Sequence, residues 1–141
     1  MKFELIDQVL EQSADRIVAV KAVTAAEEYL GDHFPRFPVL PGVFMVEAMV
    51  QAARRLLEGR GRGRMVLGGV RALRYGSFVR PGESLRVEVV VDREQGDGEV
   101  SFRGTGTVIR SDGTSETAVS GRFTMRARRT ESVPTRQSAT G

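Results

Sequence analysis

Residues 43–59 read VFMVEAMVQAARRLLEG, and this stretch decides the fold. Between Val43 and Val50 every position is apolar except Glu47. The run ends at a glycine, so it predicts one long α-helix that Gly59 stops. Because a helix that is apolar all round is normally buried, we expect the rest of the chain to enclose it.

A proline-rich loop precedes this helix. Residues 33–42 read HFPRFPVLPG and place three prolines within seven residues, from Pro35 to Pro41. Proline removes a backbone donor, fixes φ and restricts the residue before it, so this density excludes a helix. We therefore expect a stiff, extended loop that leads directly into the helix.

The remaining elements follow from apolar periodicity. Helical spacing of apolar residues predicts a short amphipathic helix over residues 2–12, and a β-branched run predicts a strand over residues 16–24. Farther along, alternating apolar residues and glycine-containing turns predict consecutive strands over residues 66–73, 75–79, 85–92 and 100–109, and a last strand that carries Val119, Phe123 and Met125. A short helical turn is expected over residues 27–30. Together these elements predict an α+β domain in which an antiparallel sheet wraps the long helix.

The length of 141 residues suits one domain. We expect a single domain over residues 1–128 and a disordered tail over residues 129–141, where polar residues replace apolar periodicity. No stretch approaches the roughly 18 apolar residues of a membrane span, and no signal peptide is visible. These observations predict a cytoplasmic protein that does not bind membranes.

Composition excludes several kinds of site. The chain has no cysteine, which removes disulfides and thiolate metal sites, and its one histidine, His33, excludes a multi-histidine metal centre. Charge is segregated, because residues 51–80 carry eight arginines against Glu58 alone. This basic segment suits an acidic protein partner or a phosphate-bearing ligand equally well, and a plain solvated face is the alternative. Few aromatic residues accompany the arginines, which disfavours nucleic acid.

Two residues break the local pattern in a way that points to chemistry. His33 is a titratable side chain in a stiff loop, and Glu47 is a carboxyl group within an apolar run. Each has a plainer alternative: a histidine bonded to backbone, and a solvated helix stripe that Glu47 shares with Gln51 and Glu58. Together they form a workable acid–base couple. Gly42 lies between them at the helix start, where free N–H groups suit an oxyanion, so the set fits proton abstraction beside a carbonyl with loss of a β-substituent.

The same residues resemble a known family. Residues 33–51, HFPRFPVLPGVFMVEAMVQ, resemble the signature of the FabZ-type (3R)-hydroxyacyl-acyl-carrier-protein dehydratases, with the histidine and the glutamate 14 positions apart as in that family. Residues 78–85, FVRPGESL, resemble its second recurrent block. The likeness runs from about Leu5 to Arg126, and a motif of this length with both chemical residues in register is a specific signal.

The resemblance implies an α+β hotdog fold, in which a curved antiparallel β-sheet wraps a long central helix. It also implies a homodimer with a continuous sheet, often assembled further as a trimer of dimers. In such a dimer the active site lies at the interface and takes the histidine from one subunit and the glutamate from the other.

Transferred to this chain, the family mechanism gives each residue a role. His33 would remove the α-proton of a 3-hydroxyacyl thioester, and Glu47 would protonate the departing 3-hydroxyl to release water and a trans-2-enoyl thioester. The backbone N–H of Gly42 would hold the thioester oxygen, and Gln51 would orient Glu47. The reaction needs no metal or redox cofactor, and the substrate is carried on the phosphopantetheine of an acyl carrier protein.

Further contacts follow from the same resemblance. The expected substrate contacts are Gly42, Val43, Gln51, Phe34, Phe44 and Tyr75. Carrier protein is expected to bind arginines near the mouth of the substrate tunnel, with Arg36, Arg54, Arg55, Arg74 and Arg80 as candidates. Two positions depart from the family, because Arg36 stands where a glycine is usual and Phe37 where a basic residue is frequent. Arg36 leaves a changed substrate or a lost activity open. The alternative functions are a hotdog acyl thioesterase and a non-catalytic subunit that binds acyl carrier protein.

Overall fold

The structure is a computed structural model that describes residues 4–24, 39–62, 64–94 and 96–127. Among these residues one α-helix, α1, spans Gly42–Gly59. The strands are β1 (Gln8–Gln12), β2 (Arg16–Ala22), β3 (Met65–Tyr75), β4 (Ser84–Glu94), β5 (Val100–Ile109) and β6 (Ser115–Ala127).

The six strands form one sheet in the order β1-β2-β4-β5-β6-β3, and every neighbouring pair is antiparallel. One side of α1 is buried against this sheet. Its buried residues are Met45, Ala48, Met49, Val50, Ala52, Ala53, Leu56 and Leu57. The predicted architecture, a long helix wrapped by an antiparallel sheet, is confirmed.

A glycine in β5 lets α1 approach the sheet closely. A Cβ at Gly104 would lie 2.6 Å from Met49 Sδ, so the methionine already fills the space that a side chain would need. Beside it, Phe102 and Phe123 stack with their ring centroids 5.4 Å apart. The helix therefore packs against β5 at Gly104, which has no side chain, and beside the larger side chains of Phe102 and Phe123.

The predicted helix over residues 2–12 is wrong, because its second half forms β1 and pairs with β2. The helix prediction rests on the spacing of two apolar pairs. Val9 and Leu10 follow Leu5 and Ile6 by four residues, which is the spacing of one helical turn. In the structure the register shifts between Val9 and Glu11, so Leu10 is the extra residue of a β-bulge and is 46% exposed. A bulge breaks the two-residue alternation by which a strand is recognised.

Residues 65–79 form one strand and a loop instead of the two predicted strands. β3 runs to Tyr75 and continues to pair with β6 across the predicted break. Beyond it, the N–H groups of Gly76 and Ser77 donate to carbonyls of β6, and the chain then turns away and buries Val79. β3 lies at one edge of the sheet, with β6 as its neighbour.

The helix ends at Gly59 as predicted, and Gly61 supplies the backbone conformation that terminates it. Gly59 is the last helical residue, whereas Gly61 has a φ of 76°, in the left-handed region that glycine adopts without strain. The N–H of Gly61 donates to Glu58 and that of Arg62 to Leu57, which are the paired bonds of a Schellman motif. The residues from Gly59 to Arg62 therefore form a defined helix end.

The first turn of α1 is not enclosed as expected. Val43 is 66% exposed, and Phe44 and Val46 are only partly buried. An apolar residue this exposed at the start of the central helix marks a surface that a single chain leaves open.

Several predictions fall on residues outside the described part of the chain. These are the helical turn over residues 27–30, the loop residues His33, Phe34 and Arg36, and the tail over residues 129–141. The division into one domain and a tail therefore stays a prediction. Within the described ranges, no helix is both long and apolar enough to cross a membrane.

Candidate active site

A pocket of about 400 Å³ opens at the N-terminus of α1. Its walls come from the residues that lead into the helix, from the first turn of the helix, and from the segment that follows β3. The lining includes Pro41, Gly42, Val43, Tyr75, Ser77 and Phe78. Three of the expected substrate contacts, Gly42, Val43 and Tyr75, therefore come together here.

The helix N-terminus presents backbone donors to this pocket. The Pro41 carbonyl accepts the N–H groups of Phe44 (3.0 Å) and Met45 (3.3 Å). The N–H groups of Gly42 and Val43 come too early to have an intrahelical partner, and among the described residues no side chain caps this end. No acidic residue in the first turn offsets the positive end of the helix dipole. An oxygen that gains negative charge is therefore stabilised at this point.

Tyr75 covers Gly42. A Cβ at Gly42 would lie 2.7 Å from Tyr75 Cε1 and 2.8 Å from Cζ, so the ring occupies the space that any other residue would need. The tyrosine is itself half exposed. The glycine thus permits close approach at the helix start, and Tyr75 is the group that approaches.

A chain of polar contacts holds the segment that follows β3, which forms one wall of the pocket. The Ser77 hydroxyl donates to Glu116, and Arg110 bridges Glu116 (3.3 Å) and Glu83 (2.9 Å). The Ser77 hydrogen bond, and after it the Arg110 guanidinium, lowers the pKa of Glu116. Hydrogen bonding to Glu83 is the main cause that raises the pKa of Arg110. The segment between β3 and β4 is therefore tied to the β5–β6 hairpin by charge.

Gly76 supports the same wall, and we expect Gly76→Ala to destabilise the fold. A Cβ at this position would lie 2.3 Å from the Thr117 carbonyl oxygen, which belongs to the backbone of β6 and cannot rotate away. Overpacking of this kind costs about 1–3 kcal/mol. Thermal unfolding measures the effect, with Gly96→Ala as control, because nothing lies within 4 Å of a Cβ at Gly96. Equal melting temperatures of the two variants would contradict the close contact.

Glu47 lies in the second turn of α1 and is partly buried. The side-chain amide of Gln51, four residues later, donates to Glu47 Oε2 at 3.2 Å. The amide oxygen of Gln51 accepts the backbone N–H of Leu5 at 2.8 Å. The carboxyl group is therefore held by a defined neighbour, whereas Glu58, farther along the same stripe, is exposed.

Glu47 does not line the pocket at the N-terminus of its own helix. Glu47 lies five positions after Gly42, and this offset directs the two residues to different sides of a helix. Val43, one turn before Glu47, shares its side and is the exposed edge of the pocket. The described residues of one chain thus bring the oxyanion donors and Tyr75 together, but leave the carboxyl group outside that pocket.

The described arginine candidates come from three different elements. Arg54 and Arg55 lie on α1, where the Arg54 guanidinium donates to the Met65 carbonyl at 3.3 Å. Arg74 lies on β3, and Arg80 lies in the segment that follows it. Arg74 is exposed, whereas the other three are partly buried.

The remaining predicted contacts are placed elsewhere or not described. Phe44 is partly buried and packs against the core rather than lining the pocket. His33, Phe34 and Arg36 lie outside the described residues, so their positions stay predictions. In the part of the chain that the structure describes, no three potential ligands of the His, Cys, Asp or Glu type cluster as a metal site.

Some residues of the site were missed at the level of sequence. Ser77 and Phe78 line the pocket from a segment that the periodicity assigns to a strand. Phe78 opens the second recurrent block, so that block is the signal that could have found it. Leu5 takes part through its backbone N–H, and a backbone contact leaves no trace in the residue type.

A family model described as ApeI-like, ApeI dehydratase, matches residues 9–121. The chain belongs to this ApeI-like dehydratase family. A curated relative from Bacillus cereus, named 3-hydroxyacyl-[acyl-carrier-protein] dehydratase FabZ, is 43% identical over 98 residues, which cover 67% of this chain and 68% of the relative. A FabZ from Bacillus cytotoxicus is 44% identical over the same length and the same shares of both chains. The resemblance to FabZ-type dehydratases is confirmed.

Solved structures share the fold of this ApeI-like dehydratase. The dehydratase heterocomplex ApeI:P from Xenorhabdus doucetiae matches with a TM-score of 0.67 at 16% identity, over 89% of this chain and 100% of that one. A hexameric thioesterase from Yersinia pestis matches with a TM-score of 0.65 at 14% identity, over 79% of this chain and 85% of that one. Identities this low show the fold alone, and it is the hotdog fold that the resemblance implies.

Proposed function

We propose that this ApeI-like dehydratase converts (3R)-3-hydroxyacyl-acyl carrier protein into the trans-2-enoyl thioester and water, in fatty-acid or related acyl-chain biosynthesis. Family membership supplies the reaction class, a hydro-lyase. The observation that carries the proposal is that α1 provides two groups on different sides, the N-terminus at Gly42 in the pocket of its own chain and the carboxyl group of Glu47, held by an amide, for the pocket of a second copy.

The proposed chemistry consists of two proton movements about one thioester. His33 takes the α-proton, and the electron pair of that C–H bond moves toward the carbonyl, whose oxygen gains negative charge. The N–H of Gly42 and the positive end of α1 stabilise this oxygen. As Glu47 delivers a proton to the 3-hydroxyl, the C–O bond breaks, water leaves and the double bond forms. Proton transfer is sufficient for these steps, so we propose no metal or redox cofactor.

A second copy of the chain completes the site in this proposal. β3 is an edge strand of 11 residues, and its apolar residues Leu67, Val70 and Leu73 are 37–40% exposed. A long, exposed, apolar edge strand is a template for pairing with another chain. Pairing of two β3 strands gives a continuous sheet, and the pocket of the second copy would then receive the Glu47 that does not line its own. A trimer of such dimers is the larger assembly that we propose.

The acyl carrier protein is the proposed partner. Among the arginine candidates Arg74 is supported best, because it is exposed and directly precedes Tyr75, which lines the pocket. Arg54, Arg55 and Arg80 stay predictions, as does the cytoplasmic location.

The product of one incubation distinguishes the candidate functions. From a 3-hydroxyacyl thioester a dehydratase forms an enoyl thioester, a thioesterase forms a free acid and a thiol, and a carrier-binding subunit forms neither. We expect the enoyl thioester, detected by its ultraviolet absorbance and by mass. Free acid as the main product, or no product, would contradict the proposal.

A further inference from the structure

We propose that the backbone N–H of Leu5 fixes the amide orientation of Gln51, and that this amide decides which oxygen of Glu47 carries the transferable proton. The inference rests on the proposed function, since it concerns the acid of that reaction. It gives the segment over residues 4–7 a positioning role, and it assigns the transferable proton to Glu47 Oε1.

The orientation of the Gln51 amide follows from what its neighbours can do. A primary amide has nearly the same shape when rotated by half a turn, so only its hydrogen bonds decide which end points where. A backbone N–H can only donate, and that of Leu5 lies 2.8 Å from Gln51 Oε1. The oxygen is thereby committed to Leu5, and the NH₂ group faces Glu47 Oε2 at 3.2 Å. The opposite orientation would set the NH₂ group of Gln51 against the N–H of Leu5, donor against donor.

The Leu5 peptide is itself firmly placed. Leu5 and Ile6 are 1% and 4% exposed and belong to the core. The N–H of Asp7 donates to the Val20 carbonyl at 2.9 Å, and the Asp7 carboxylate accepts the N–H of Ala22 at 2.7 Å. Two buried side chains and two bonds to β2 therefore hold the donor that orients Gln51.

The Gln51 amide also distinguishes the two oxygens of Glu47. In a protonated carboxyl group the carbonyl-type oxygen is a better acceptor than the hydroxyl oxygen. Because Oε2 receives the amide N–H, the acidic hydrogen resides on Oε1. After the proton has left, the same N–H stabilises the carboxylate. The proton thus leaves in a fixed direction, which is what general acid catalysis requires.

Gln51→Glu separates this positioning role from a structural one. An ionised glutamate still accepts the Leu5 N–H, but it cannot donate to Glu47 and places a second negative charge beside it. We expect kcat to fall about tenfold to a hundredfold with KM within about twofold of the wild type, since orientation of the reacting group is lost. We also expect the pH optimum of kcat to move, which a structural role alone would not cause.

A double-mutant cycle tests the contribution of Leu5. Leu5→Pro removes the N–H, whereas Leu5→Ala keeps the N–H and loses packing, so the alanine variant is the matched control. We expect Leu5→Pro to lower kcat as far as Gln51→Ala does, and to have no further effect in the Gln51→Ala background, because both changes remove one contact. Leu5→Ala keeps the N–H, so we expect its kcat to fall less than that of Leu5→Pro, while its melting temperature falls because packing is lost.

The outcomes separate this inference from the proposed function. The inference would be overturned if the fold reductions in kcat of the two single variants multiplied in the double variant, or if Leu5→Pro kept the wild-type kcat. Should Leu5→Pro fail to fold, Gln51→Glu decides alone, and wild-type kcat and pH optimum in that variant would overturn it. A wild-type protein that converts no 3-hydroxyacyl thioester refutes the proposed function instead.

Discussion

Glu47→Gln lowers kcat about a thousandfold, within the range that removal of a general acid causes. Glutamine has the size and shape of glutamate and its oxygen still accepts the Gln51 N–H, so the helix and its contacts are retained. It has no acidic proton to give to the departing hydroxyl. We therefore expect KM and the melting temperature to stay close to the wild-type values while kcat falls. Steady-state kinetics and thermal unfolding of the purified protein measure both.

Glu58→Gln is the matched control for this prediction. Glu58 lies on the same helix and is exposed, so the same change of charge occurs away from the pocket. Its kcat should equal that of the wild type. A Glu47→Gln variant that keeps more than about a tenth of wild-type kcat would contradict the role of Glu47 as the acid.

Val70→Asp converts the protein to monomers and thereby abolishes turnover. Val70 lies on β3 and is 40% exposed in the single chain. In the proposed dimer it is covered, and an unpaired carboxylate in a covered position costs about 3–5 kcal/mol. A loss of this size lowers a dimerisation constant by more than a hundredfold. Because the site takes groups from two copies, we expect kcat to fall with the dimer fraction, measured by light scattering and turnover on the same samples.

Leu10→Asp provides the comparison for the sheet edge. Leu10 is 46% exposed and lies on β1, at the opposite edge of the sheet. We expect this variant to keep the wild-type mass and turnover. A Val70→Asp protein with the wild-type mass and full turnover would contradict pairing through β3.

The helix and the central strands could be predicted from sequence because their signals are long and local. The apolar run that begins at Val43 can be buried in few conformations other than a helix. The observed helix α1 begins one residue before this run, at Gly42. The strand over residues 100–109 was predicted with the bounds it has, because alternation is regular there and glycine turns flank it. Both elements depend on patterns that neighbours in the chain already contain.

Elements that depend on one exceptional residue were not predictable in the same way. The bulge at Leu10 hides a strand behind helical spacing, and the left-handed conformation that terminates α1 belongs to Gly61, two residues after the last helical residue. In both cases the deciding fact is a backbone conformation or a register, which residue type specifies only weakly.

The residues of the candidate site likewise fall into those that could be predicted from the sequence and those that could not. Glu47 and Gly42 could be named because a carboxyl group in an apolar helix and a glycine at its start are unusual by residue type alone, and Gln51 because it lies one helical turn after Glu47. The contact of Ser77 with Glu116 could not, since it joins residues 39 positions apart through a turn that the sequence assigns to a strand. The contact of Leu5 could not be predicted for a different reason, because only its backbone N–H bonds to Gln51.

The central claim is tested most directly by turnover of a short 3-hydroxyacyl thioester, or of its enoyl product in reverse, by the wild type and by His33→Ala. Enoyl absorbance follows the reaction in both directions. We predict that the wild type interconverts the two thioesters and that His33→Ala does not. A wild-type protein that binds acyl carrier protein but interconverts neither thioester would contradict the claim, and would place the chain among non-catalytic carrier-binding subunits.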